Sequence, residues 1–156
     1  MIKKLSGLLC AVALSLTLFA CGGNSDEKTA DLNQVLTQIE SQITLGDMVT
    51  YSADDLKAAY GIDAADVKQS VAKVASDGLK ADEIIMIEAV DAAAATRIEE
   101  KLQAHYEAKS NENITYNPEQ YAMIQKCSVK RDGKFVTLFL SAHADQMTSA
   151  FEAALQ

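Results

Sequence analysis

The residue with the most definite chemistry in this 156-residue chain is Cys21. It follows Leu18-Phe19-Ala20, and the four together have the form of a lipobox, the cleavage and acylation site of an exported, lipid-modified protein. A cysteine sulfur can be alkylated by a diacylglycerol group because its thiolate is a strong nucleophile. Leu18 and Ala20 suit the peptidase positions, while Phe19 is larger than the small residue usual there. The flanks agree with that chemistry. Met1-Ile2-Lys3-Lys4 is a short basic start, and residues 5–20 carry no charge. A helix spanning a bilayer needs ~20 apolar residues; this run is shorter and ends in a small residue beside a cysteine, as an export leader does. Gly22-Gly23-Asn24-Ser25 then reads as a flexible tether. Cys10 lacks the small preceding residue, since Leu9 stands there. One acyl chain holds a protein only marginally, at about 0.8 kcal/mol per buried methylene, whereas two or more anchor it durably.

The other chemistry-bearing residues are weaker. Asp54, Asp55, Asp63 and Asp66 form an acidic cluster that could ligate a hard cation through oxygen. Their spacing does not match an EF-hand loop, and helix capping already accounts for two of them. Cys127 could be a nucleophile if its pKa were lowered. Its neighbours in sequence place it on an apolar strand face, where a free cysteine behaves as a small hydrophobe. His105 and His143 are the only histidines, belong to no ligand motif, and read as surface or cap residues. Glu83 and Glu119 could pair as carboxylates, but a strand start and a helix start explain each. Asn113-Ile114-Thr115 matches a glycosylation sequon, which reads as a coincidence if the lipobox reading holds. Tyr51, Tyr60, Tyr116 and Tyr121 are candidates for a partner-binding surface, because tyrosine is favoured at interfaces. No glycine-rich phosphate loop, nucleophile elbow or paired-cysteine motif occurs. No catalytic residue, metal centre or cofactor is therefore expected.

Composition narrows the function classes. Cleavage before Cys21 leaves 136 residues, a length suited to one domain with a real core. It removes Lys3 and Lys4, leaving 12 basic against 22 acidic side chains. That balance argues against nucleic acid, which needs a basic footprint, and against charge-driven docking on anionic lipid. The absence of tryptophan and the 6% aromatic content weaken a sugar-stacking platform. Cys127 is the one thiol left, so no disulfide forms within the domain.

The elements that must position these residues follow from periodicity and punctuation. Leu32, Val35, Leu36, Ile39 and Ile43 recur at helical spacing behind Asp31 as N-cap, and Gly46 stops the helix. Ser52-Ala53-Asp54-Asp55 has the form of a capping box, opening a short helix closed by Gly61 as a left-handed C-cap. Asp63 caps a further turn that contains Val67. Residues 71–76 and 81–90 read as strands separated by Asp77-Gly78; the second is apolar on both faces, as a central strand is. Asp91 caps a long helix with Ile98, Leu102 and Tyr106 inward, predicted to dissolve near Ser110-Asn111 into a loop over 111–116. Asn117-Pro118-Glu119-Gln120 starts a short helix. Residues 128–140 read as a hairpin on a type I′ Asp132-Gly133 turn, with Arg131 opposite Lys134 and Val129 opposite Val136. Cys127, Val129, Val136, Leu138 and Leu140 then share the core-facing side. From His143 a last helix carries Met147, Ala150, Phe151, Ala154 and Leu155. The sum is an α+β domain: one antiparallel sheet of about four strands with helices packed largely on one face.

Asp55-Leu56, Tyr60-Gly61-Ile62-Asp63, Ala81-Asp82-Glu83-Ile84 and Pro118-Glu119-Gln120-Tyr121 resemble a family of small lipoproteins of Gram-positive gut-type bacteria. It is catalogued as domain of unknown function forty-three fifty-eight. The resemblance covers about Asp47 to Phe151, and its most specific part is the Tyr-Gly-Ile-Asp block. Where that family often has an aromatic residue shortly after the block, this chain has Gln69-Ser70, which implies a different entry into the strand. The resemblance implies a cell-surface lipoprotein with a shared fold, and no activity.

The expectation is thus a signal peptide over 1–20, a tether over 21–30 and an α+β domain over 31–156. The domain is held at the outer face of the cell membrane by diacylglycerol on Cys21, with acyl chains such as palmitate. It is expected to bind an envelope protein or component without being an enzyme. The alternative is a small-ligand or cation-binding lipoprotein using the acidic cluster.

Overall fold

The computed structural model describes residues 28–156; the leader, the lipobox and Cys21 lie outside the described residues. The chain folds as α1 (Leu32–Gln42), β1 (Met48–Thr50), α2 (Ala53–Tyr60), a 3-10 turn (Ala64–Asp66), β2 (Val67–Ala75), β3 (Glu83–Ala89), α3 (Ala92–Tyr116), α4 (Pro118–Ile124), β4 (Val129–Asp132), β5 (Phe135–Leu140) and α5 (Ala144–Ala154). The strands form one antiparallel sheet in the order β1-β2-β3-β5-β4. The α+β class is as expected; the sheet has five strands, because β1 is a three-residue edge strand too short to show alternation. Among the described residues no helix is long and apolar enough to cross a membrane.

Central β3 is buried along its whole length. Its alternate side chains feed two separate cores. Ile85, Ile87 and Ala89 join Val136, Leu138 and Leu140 of β5 under Leu56 of α2, Ile98 and Leu102 of α3 and Ile124 of α4. Ile84 and Met86 join Val71, Phe135 and Phe139 under α1 and α5, through Leu32, Val35, Ile39, Met147 and Phe151. The sheet is therefore covered on both faces, and the expectation of helices largely on one face is corrected. The reason lies in β5, where Phe135 and Phe139 stand on the side opposite Val136, Leu138 and Leu140 and need a cover of their own. Phe151 supplies part of it, with its ring 5.9 Å from that of Phe135 at 67°.

Most local capping signals hold, with two corrections. Asp63 makes no side-chain cap bond because its carboxylate pairs with Lys57, and Val67 begins β2 rather than lying in that turn. Helix α1 ends at Gln42, ahead of Gly46. Asp31 accepts the backbone N–H groups of Asn33 and Gln34 at the start of α1, both halves of the Ser52–Asp55 capping box are present, and Gly61 ends α2 at φ +69°. Asn117 both ends α3 and caps α4, so the loop expected over 111–116 is helix. Neighbouring structure holds these polar turns, with Gln125 donating to the buried Ser110 hydroxyl at 2.7 Å; within α3 the Asn113 amide donates to the Lys109 carbonyl. The hairpin register also differs from the expected one. Asp132 pairs with Phe135 and Val129 with Leu138, leaving Gly133-Lys134 as the two-residue turn. Only Gly133 has positive φ there, whereas a type I′ turn requires it at both central residues. The shift is by two residues, so every side chain keeps its face.

The start of the described chain is fastened to one end of the sheet. Thr29 and Gln156 exchange backbone hydrogen bonds at 2.9 and 3.1 Å, and Lys28 pairs with Asp132 at 2.5 Å. Gln69 donates to the Ala30 carbonyl and to Glu88, and its oxygen accepts from Leu32 N–H. The register irregularity of β2 falls between Val67 and Gln69.

Candidate functional site

Glu83 opens β3 with its side chain on the α3 side of the sheet, and only 3% of the residue is exposed. A carboxylate so buried needs partners for its charge and its lone pairs. Two come from α3, where His105 and Lys109 stand one turn apart on the same face. His105 Nε2 lies 2.7 Å from Glu83 Oε2, a donor position towards a carboxylate, and Lys109 Nζ lies 3.2 Å from Oε1. The Tyr60 hydroxyl, from the last residue of α2, makes a long 3.5 Å contact with Oε2. The Tyr60 ring meets the His105 ring edge-on at 4.6 Å. Burial first, and then the charge of Glu83, push the Tyr60 phenol well above its ordinary range, so it stays protonated as a donor.

Carboxylate, imidazole, ammonium and phenol are the groups used in general acid–base chemistry. Here they mainly satisfy one another, and together they tie α2, β3 and α3. His105 is thus neither a surface nor a cap residue. Glu119 does not pair with Glu83. The adjoining Gln120 accepts the Ala81 N–H at 2.8 Å instead, so three blocks of the family resemblance meet at this corner.

Lys109, the outermost member of the network, also lines a shallow groove with Leu79, Lys80, Glu112, Asn113 and Tyr116. Leu79 is 78% exposed, Ile114 54% and Tyr116 88%, the largest values among the exposed big apolar residues. Leu79 and Tyr116 meet where the end of α3 faces the β2–β3 loop, joined by the Asn117 amide donating to the Leu79 carbonyl, whereas Ile114 does not line this groove. Of the four tyrosines proposed as one surface, Tyr51 and Tyr60 are in contact, with ring centroids 6.1 Å apart. Tyr60 is buried, Tyr121 is half-buried on α4, and Tyr116 alone is fully presented.

The acidic cluster is dispersed among separate partners. Asp55 serves the α2 cap, Asp63 pairs with Lys57 and more distantly with Lys101, and Asp66 takes two hydrogen bonds from Arg97 at 2.5 and 3.1 Å. Hydrogen bonds from Ser52, Lys57 and Arg97, respectively, hold these three carboxyls below the usual range. Asp54 is exposed on the first turn of α2. Among the described residues no group of three or more His, Cys, Asp or Glu side chains could hold a metal ion. Cys127 is 7% exposed in the α3-side core, and burial raises its thiol pKa, the opposite of nucleophile activation. His143 precedes α5 without a side-chain cap bond, beside a depression of about 330 Å³ at the same end of the sheet.

Sequence periodicity could not join a strand start to a helix twenty residues later. The available signal for Glu83 was that it and Tyr60 belong to two blocks of one resemblance.

No curated protein and no solved structure matches this chain. The family profile described as "Domain of unknown function (DUF4358)" matches residues 41–141, from the last turn of α1 to the end of β5. That span is more than half of the chain and contains the whole sheet together with Tyr60, Glu83, His105 and Lys109. The chain belongs to this family of domains of unknown function, DUF4358.

Proposed function

We propose that the protein is a lipid-anchored module at the outer face of the cell membrane, joined to the bilayer through diacylglycerol on Cys21, and that its domain binds an envelope protein or component without catalysing a reaction. The lipobox supports the anchor. The observation that carries the binding role is the exposed apolar pair Leu79 and Tyr116, which line a groove with Lys80 and Lys109. Large apolar side chains exposed together on an otherwise acidic domain mark an interaction surface. The engagement of both Glu83 oxygens favours a structural over a catalytic role for the buried network.

The test is site-specific photo-crosslinking on intact cells with a photoreactive residue at Tyr116. A discrete adduct that disappears in Leu79→Asp supports the reading. Crosslinking that is diffuse, or unaffected by Leu79→Asp, contradicts it.

A further inference from the structure

The two ends of the sheet differ in ways that bear on how a tethered domain meets a bilayer. One end, marked by Glu88 in β3, Gln69 in β2 and Phe135 in β5, carries the β4–β5 turn and the first described residues. There Thr29 is bridged to Gln156, Lys28 to Asp132, and Ala30 to Gln69, whose amide is held in turn by the buried Glu88. The tether therefore leaves from a fixed point. The opposite end, marked by Glu83, Ala75 and Leu140, carries the loops over 43–47, 76–82 and 141–143 and the C-terminal turns of α3. Charge follows the same division. At the tether end the basic groups are matched, Lys28 with Asp132, Lys68 with Glu88, Arg97 with Asp66 and Arg131 with Glu99. At the loop end Asp47, Asp77, Asp82, Glu112, Glu119 and Asp145 take part in no ion pair among the described residues, and these six carboxylates outnumber the lysines there, Lys80, Lys109 and Lys126.

The geometry points to a fixed polarity at the membrane: the β4–β5 hairpin end faces the bilayer, and the acidic loop end, with Leu79 and Tyr116, faces outward. This rests on the proposed lipid anchor at Cys21. Lys28 is seven residue steps from Cys21, and a chain extends at most ~3.6 Å per step, so Lys28 stands no more than about 25 Å from the lipid. Helix α3 runs from the tether end to the loop end, and its 25 residues span about 37 Å at 1.5 Å each. The domain is longer than its tether, so it cannot hang inverted with the loop end pressed to the bilayer. A tilted pose remains sterically open. The unpaired carboxylates oppose it on an anionic surface, where like charges repel within a Debye length of ~10 Å.

The polarity is read from the full lipidated chain in phosphatidylglycerol–phosphatidylethanolamine vesicles containing headgroup spin-labelled lipid. A fluorophore is placed on Gln156→Cys at the tether end or on Gly78→Cys at the loop end; Gly78 has open space around it and no positive φ. Cys127 is buried and Cys21 acylated, so the introduced thiol takes the label. Quenching at Gln156→Cys is expected to exceed that at Gly78→Cys by roughly threefold or more, given the separation of the two ends. Equal quenching, or stronger quenching at Gly78→Cys, overturns the polarity while leaving the anchor standing. Failure of the unsubstituted chain to float with the vesicles overturns the anchor, and the polarity with it.

Discussion

Glu83 shows how one buried charge can fix the position of a helix. Its carboxylate is engaged by His105 and Lys109 from α3, with Tyr60 from α2 beside it. Removing one side of a buried ion pair leaves the others without a partner, which costs more than the pair contributes in water. Because His105 and Lys109 side chains keep 20% and 26% exposure, part of their hydration returns. Glu83→Ala is expected to lower stability by about 2–3 kcal/mol, measured as a shift in urea midpoint; a loss near zero would contradict the role given to Glu83. Asp66 tests a different electrostatic effect. Hydrogen bonds from Arg97 lower its folded pKa below the ordinary 3.8. A carboxyl lowered on folding contributes stability above its unfolded pKa and loses it as pH falls through the folded value. Asp66→Asn is therefore expected to melt below the unsubstituted protein at pH 7, with the gap shrinking as pH drops below 3.8. A gap that stays constant with pH would contradict this account. The sequence makes Asp66 conspicuous only as one acidic residue among four. Its pairing with Arg97 joins residues far apart in the chain, and neither residue belongs to a local pattern.

At the scale of elements, signals carried by neighbouring residues were legible. The Asp31 and Ser52 caps, the Gly61 stop, Asn117-Pro118 and the apolar run of β3 all depend on residues within a turn of one another. What escaped depends on tertiary packing. The polar C-terminal turns of α3 persist because α4 lies against them. The second helical layer was hidden because Lys130 and Thr137 dilute the face that holds Phe135 and Phe139. The two-residue slip in the hairpin turns on a backbone angle at Lys134 that composition does not encode. Glycines separate conformation from crowding. Gly61 and Gly78 both have open space where a Cβ would go, and only Gly61 has positive φ. Gly61→Ala is expected to cost about 1 kcal/mol, and Gly78→Ala to be neutral or slightly stabilising by restricting the unfolded chain. Thermal melts of the two variants distinguish these cases, and equal effects would contradict the left-handed cap as the source of the cost.

At the scale of the whole molecule, helices cover both faces of the sheet, so the surfaces proposed for function lie at its ends. One end secures the exit of the chain towards Cys21, and the other presents Leu79, Tyr116 and unpaired carboxylates. Net charge is −8 for the full sequence, yet its distribution along the sheet, which composition alone does not reveal, is what bears on the proposed membrane pose. The central proposal, that this domain works while tethered by lipid, is tested most directly by labelling cells with an alkyne fatty acid and isolating the unsubstituted chain and Cys21→Ser. The account predicts lipid label on the unsubstituted chain in the membrane fraction, with both label and membrane association lost in Cys21→Ser. Equal labelling of the two chains, or none on either, would contradict it.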